Sequence, residues 1–122
     1  MNDQSTTLAQ VRQMMREFVA ERQWEKYHTP KNLAASASVE AGELLELFLW
    51  LTPEEALERS HRDPAFRKAV GEELCDVLMY LVSLANALDL DIAEAIQHKM
   101  AKNRRKYPPE EFQGHYQRPL PE

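Results

Sequence analysis

Apolar residues recur along most of the chain at the three- and four-residue spacing of an amphipathic helix, and the alternation a strand needs is nearly absent. Residues 5–27 are the first such stretch, with Leu8, Val11, Met15, Phe18 and Val19 on one face. Thr29-Pro30 closes that helix and opens the next, because proline is tolerated in a first turn whose N–H groups lack partners anyway. The second helix is predicted over 31–51 and carries Leu33, Ala37, Leu44, Leu47, Phe48 and Leu51. Thr52-Pro53-Glu54-Glu55 combines an N-cap, a first-turn proline and a capping-box glutamate, which predicts a short helix to near Ser60. Asp63-Pro64 repeats the signal for a long helix reaching about Leu88. Asp91 and Glu94 cap a last helix, which Tyr107-Pro108-Pro109 ends.

These elements predict an all-α protein, a four-helix-bundle-type domain over residues 1–107. The segment 108–122 holds four of the seven prolines and is expected to be an extended or disordered tail. Broad apolar faces on a 122-residue chain imply that partner subunits cover part of them.

Composition removes several function classes. Gly42, Gly71 and Gly114 are the only glycines and stand far apart, so no glycine loop can cradle a phosphate. The net charge of −5 is opposite to what phosphate neutralisation on a nucleic acid requires. Cys75 is alone, which excludes an internal disulfide and a cysteine-rich zinc site and suits a reducing compartment. Leu44–Leu51 and Val77–Leu90 are the richest apolar stretches, and polar residues interrupt both before the roughly 20 residues of a membrane span. The first residues carry neither the basic start nor the apolar run of a signal peptide. A soluble cytoplasmic protein without nucleic-acid or membrane partners is the expectation.

The most informative residues are acids placed where a core should be. At about 100° per residue, Glu40 falls among Leu33, Leu44, Leu47 and Leu51, with Glu43 at the edge of the same face near Trp50. On the long helix, Glu73 falls among Phe66, Val77, Tyr80 and Leu84, and Asp76 lies three residues on, beside Ala69 and Ser83. Paired acids at this spacing are common on solvated faces. On apolar faces they repel one another and lose hydration, so something positive must sit among them. Too few lysines and arginines share those faces to serve. A divalent cation fits better, and an all-carboxylate cluster selects a hard one, Mg²⁺ or Mn²⁺.

The run Glu40-Ala-Gly-Glu43-Leu-Leu-Glu46-Leu-Phe-Leu-Trp50, followed by Glu72-Glu73-Leu-Cys-Asp76-Val-Leu-Met-Tyr80, resembles the MazG-like all-α nucleoside triphosphate pyrophosphohydrolases. Within them it is most similar to the dCTP pyrophosphatase branch. The resemblance covers residues 8–108 and includes Lys99-Met-Ala-Lys-Asn103-Arg-Arg-Lys-Tyr-Pro108. It implies Mg²⁺-dependent hydrolysis of a nucleoside triphosphate, dCTP or a modified dCTP, to monophosphate and pyrophosphate, with cleansing of the nucleotide pool as the role. By the same resemblance Glu40, Glu43, Glu73 and Asp76 are the metal ligands and Glu43 orients the attacking water. A homotetramer is implied, with a homodimer as the fallback. Where the broader family often has another acid this chain has Val39, and the dCTP-type branch resembles it in lacking that acid. Met15 stands where that branch commonly has a histidine, which leaves the base preference open.

The remaining candidates carry two readings each. Lys99, Asn103 and Lys106 share a face of the last helix and look like a basic helix end that complements the dipole. The resemblance instead makes Lys99 and Asn103 phosphate ligands, which charged and amide donors suit. Trp24, Trp50 and Tyr80 are ordinary core aromatics or walls of a base pocket, with His28 a polar neighbour and Lys31 within reach of a phosphate. Two competing classes are a helical interaction module, which leaves the acids among leucines unexplained, and a di-iron bundle. The latter needs two central Glu-x-x-His pairs, whereas Glu25/His28 and Glu58/His61 both fall at helix ends.

Overall fold

The structure, a computed structural model, describes residues 1–117 of the 122. Its regular elements are all helical: α1 Leu8–Glu21, a 3₁₀ turn Glu25–Tyr27, α2 Pro30–Phe48, α3 Pro53–Arg62, α4 Pro64–Ala87, α5 Ile92–Lys106 and α6 Pro109–Phe112. The chain divides into two compact units, residues 1–90 and the remainder from Asp91, a boundary the hydrophobic pattern did not mark.

α1 begins with a reciprocal capping box: the Gln10 N–H donates to Thr7 Oγ1 (3.2 Å) and the Thr7 N–H to Gln10 Oε1 (2.7 Å). It stops at Glu21, where the spacing predicted helix to residue 27. Gln23 turns the chain with a φ of 53°, and the Trp24 N–H reaches back to the Val19 carbonyl while the Gln23 N–H reaches Ala20, both at 3.0 Å. This Schellman closure satisfies the last carbonyls and swings Trp24 back onto Phe18, ring to ring at 5.8 Å, edge to face. Apolar periodicity does not register such a stop, because Trp24 still contacts the face it came from.

α2 also ends before the expected residue 51. The Leu51 N–H bonds the Phe48 carbonyl at 3.0 Å, a tight turn that leaves Thr52 free to cap α3 through the Glu55 N–H (3.1 Å). Asp63 then joins two helices by itself. Its N–H donates to the Arg59 carbonyl at the end of α3 (3.0 Å). Its carboxylate accepts the Ala65 and Phe66 N–H groups that open α4, both at 3.1 Å. The Phe66 N–H foremost, and the Arg59 guanidinium, whose Nε donates to the carboxylate at 3.4 Å, hold the Asp63 carboxyl below its usual range despite some desolvation.

Within the first unit α2 and α4 form the principal pair, and α1 and α3 also pack on α4. The core joins Val19 of α1, Leu33 and Ala37 of α2, and Phe66, Val82 and Ala85 of α4. Each large side chain buried here contributes about 1.5–3 kcal/mol. Phe48 meets Phe66 edge to face at 5.5 Å. α1 is fixed to α4 by a polar clamp: Arg12 Nε donates to Asn86 Oδ1 (2.9 Å), and Asn86 Nδ2 donates to the Arg12 carbonyl (3.1 Å). Leu74, Leu78 and Leu81 of α4 and Leu45 and Leu49 near the end of α2 stay about half exposed.

The second unit holds α5, capped by Asp91 through the Glu94 N–H (2.8 Å). After it, residues 109–112 make one helical turn, α6, where extended or disordered chain was expected. Phe112 folds against Tyr107 there, with ring centroids 5.1 Å apart. Residues 118–122 of that expected tail lie outside the described residues. No helix among the described residues is long and apolar enough to cross a membrane.

Candidate active site

The helical register of α2 carries Leu33 and Ala37 into the core and brings Glu40 up on the same side one turn later. α4 does the same with Glu73, Asp76, Tyr80 and Ser83, whose spacing keeps them within about 80° of one another. Packing of α2 on α4 therefore gathers three of the four predicted acids. Glu40, Glu73 and Asp76 are half-buried, and each offers a carboxylate oxygen within 4.8 Å of the other two. Glu43 is exposed and stands at the edge of this group, within hydrogen-bonding reach of both Glu40 and Glu73.

Like charges this close disfavour full ionisation. The Glu40 carboxyl is raised above its usual range, first by its hydrogen bond with Glu43, then by burial and by the charges of Glu43, Asp76 and Glu73. Glu73 is raised first by burial, then by the charges of Glu43 and Asp76. Glu40 Oε2 and Glu73 Oε2 are buried without a hydrogen-bond partner. The ion pairs of the described residues, Arg22–Glu21, Arg59–Asp63, Arg62–Glu58 and Lys68–Glu72, all lie elsewhere. Facing carboxylates need a shared proton, a water or a cation between them. The orphaned oxygens and the purely carboxylate donor set thus fit a hard divalent ion.

Asp76 also borders a cavity of about 390 Å³ between α1 and α4. Trp24, His28 and Tyr80, all singled out from the sequence, line it, and its apolar walls come from Met14, Met15, Phe18 and Met79. A mostly apolar cleft with a few polar groups beside a charged cluster is the usual form of a small-molecule site. A second cavity of about 510 Å³ shares Met15, His28 and Ser83 with the first.

Of the other sequence candidates in the first unit, neither Trp50 nor Lys31 lines this cavity. Trp50 follows the end of α2 and is 89% exposed. Lys31 is exposed in the first turn of α2. Lys99 and Asn103 sit one turn apart on α5 in the second unit, Lys99 exposed and Asn103 half-buried. Glu58 is held by Arg62 at 3.1 Å, and neither it nor His61 joins the acid group. Phe18 falls on the plain apolar face of the first helix, and nothing in the sequence singles out Met79. Ser83 could have been singled out, because it lies seven residues, two turns, beyond Asp76.

An all-helical chain whose two main packed helices turn acids toward each other beside an apolar cavity defines a carboxylate-centred class of α proteins. The chain belongs to the MazG-like family, which matches residues 35–117. It is 45% identical to dCTP pyrophosphatase 1 of Bos taurus over 102 residues, 84% of this chain and 60% of that protein. The Homo sapiens dCTP pyrophosphatase 1 is 46% identical over 102 residues, again 84% of this chain, and 59% of that protein. The chain therefore spans about three fifths of the length of these relatives. The crystal structure of a pyrophosphatase from Archaeoglobus fulgidus superposes with a TM-score of 0.77 at 41% identity, covering 88% of this chain and 98% of that one.

Proposed function

We propose that the protein hydrolyses a nucleoside triphosphate, dCTP or a modified dCTP, to the monophosphate and pyrophosphate with Mg²⁺, and that Mn²⁺ can substitute. The observation that carries this reading is the half-buried group Glu40, Glu73 and Asp76, whose Asp76 borders a cavity walled by Trp24 and Tyr80. The names of its relatives support the same chemistry.

In this reading Glu40, Glu43, Glu73 and Asp76 hold the ion. When bound, it supplies positive charge that neutralises the triphosphate and the charge developing in the transition state. Glu43, the most exposed of the four, orients the water that attacks the α-phosphorus. Trp24 and Tyr80 hold the base by its flat faces, which places the phosphates toward Asp76. His28 supplies a polar contact in the same cavity. Lys99 and Asn103 have the ammonium and amide donors that a departing pyrophosphate needs. Lys31 and Trp50 are kept as substrate contacts on the sequence resemblance alone.

The half-exposed leucines of α2 and α4 support a homotetramer, with a homodimer as the fallback. A cytoplasmic protein that removes unwanted nucleotides from the pool completes the reading. Incubation with dCTP and Mg²⁺ should release dCMP and pyrophosphate in equal amounts. Stepwise release of orthophosphate would refute the cleavage position, and light scattering of an active monomer would refute the assembly.

A further inference from the structure

Ser83 is the buried polar residue of the core, 5% exposed, and its Oγ has no hydrogen-bond partner. A helical serine need not be left this way. Ser38 donates to the Ala34 carbonyl at 3.0 Å and Ser60 to the Ala56 carbonyl at 2.7 Å, the back-bond to the preceding turn that any serine on a helix can make. Ser83 forgoes it and instead borders both cavities. His28 Nδ1 is the second orphan there, also buried and also on both cavities. Met15, Met79 and Phe18 of the same wall offer a ligand no strong hydrogen bond; the other polar side chains of this cavity are Trp24, Tyr80 and Asp76, while Arg16, Glu25 and the Arg12-paired Asn86 border only the second. Two unsatisfied polar atoms in an apolar pocket cost stability in the free protein, and a ligand with matching polar groups recovers that cost.

We infer that Ser83 is a specificity-determining residue, which together with His28 reads the polar edge of the bound base. This rests on the pyrophosphohydrolase reading above. The Ser83 hydroxyl donates to a ring nitrogen that carries no hydrogen, and His28 Nδ1 accepts from the amino group next to it. Cytosine presents that edge, as does the larger two-ring adenine. Uracil presents an N–H and a carbonyl there, so His28 Nδ1 would face another acceptor, a mismatch that pockets built on hydrogen bonds reject strongly. On α4, Asp76 and Ser83 lie on one face two turns apart, so the helix sets the acids at one end of the ligand and the hydroxyl at the other.

The test compares kcat and KM for dCTP, dUTP, dTTP and dATP with Mg²⁺ in the parent, Ser83→Ala and Ser83→Cys proteins. Cysteine keeps the volume but donates weakly, so it separates lost hydrogen bonding from lost packing. In both variants the dCTP-to-dUTP ratio of kcat/KM should fall at least about tenfold, mostly through KM for dCTP. Both should melt at or above the parent temperature, because an unpartnered buried hydroxyl has been removed. A parent that cleaves dCTP while both variants keep its nucleotide ratios would overturn the role of Ser83 alone. A parent that cleaves no triphosphate would overturn the proposed function and this assignment with it.

Discussion

Replacing Asn86 with alanine removes both hydrogen bonds of the clamp between α1 and α4, the 2.9 Å bond from Arg12 Nε and the 3.1 Å bond to the Arg12 carbonyl. The first has a charged donor, worth about 1.5–3 kcal/mol, and the second is neutral, about 0.5–1.5 kcal/mol. Both residues are half-buried, so water can partly replace what is lost. The lower part of the range, about 2 kcal/mol, is expected. For a domain of this size that is a fall in melting temperature of about 8 °C. Circular dichroism melts of Asn86→Ala, Arg12→Met and the double variant form a cycle whose coupling should be about 1–2 kcal/mol. The functional readout follows from position. α1 supplies Met14, Met15 and Phe18 to the cavity, while the acids stand on α2 and α4. KM for dCTP should therefore rise several-fold with kcat within about threefold of the parent. A variant that melts at the parent temperature, with no coupling to Arg12, would refute the view that this clamp fixes the cavity wall.

Three further outcomes are expected. Glu40→Gln should cut pyrophosphate release at least about a hundredfold, yet the EDTA-treated protein should melt at or above the parent, since one repelling charge is gone; normal turnover would refute the cluster. Because Glu40 and Glu73 are raised above the ordinary 4.5, the folded protein holds more protons than the unfolded chain between that value and their folded values. Metal-free stability should thus rise as pH falls through that window and decline as pH rises, until Mg²⁺ reverses the trend; a flat EDTA profile would count against it. The Asp63 contribution has the opposite sign, present above the ordinary 3.8 and lost as pH falls through its lowered value. Gln23→Gly should stabilise by about 0.5–1 kcal/mol with activity kept, because glycine adopts the 53° φ without strain; a lower melting temperature would contradict the strained turn.

The fold was largely legible because this chain punctuates its helices with prolines and capping side chains. Thr29-Pro30, Thr52-Pro53 and Asp63-Pro64 each act at the backbone itself, and each opens a helix where the residue pattern places it. Helix ends were less legible. The stop at Glu21 depends on Gln23 taking a left-handed conformation, which glutamine does not advertise, and on a ring contact between Phe18 and Trp24 that mimics continued periodicity. In the site, Glu40, Glu73 and Asp76 stood out because carboxylates on apolar faces contradict their surroundings. Ser83 did not, because a small hydroxyl is unremarkable in a helix until its missing partner is seen.

α4 runs unbroken from Pro64 to Ala87, and this makes its length a fixed quantity. From Asp76 to Ser83 the helix rises about 10 Å, and every residue between them sets both that distance and the direction of each side chain. Inserting or deleting a single residue in this stretch would rotate everything beyond it by about 100°, turning Ser83 and the clamp residue Asn86 away from α1 together. A point substitution there alters one contact, whereas a change of length alters them all. Descendants of this sequence can therefore vary the composition of residues 77–82 far more readily than their number, and changes in length belong in the turns, such as 49–52 and 88–91, where no helical register has to be kept.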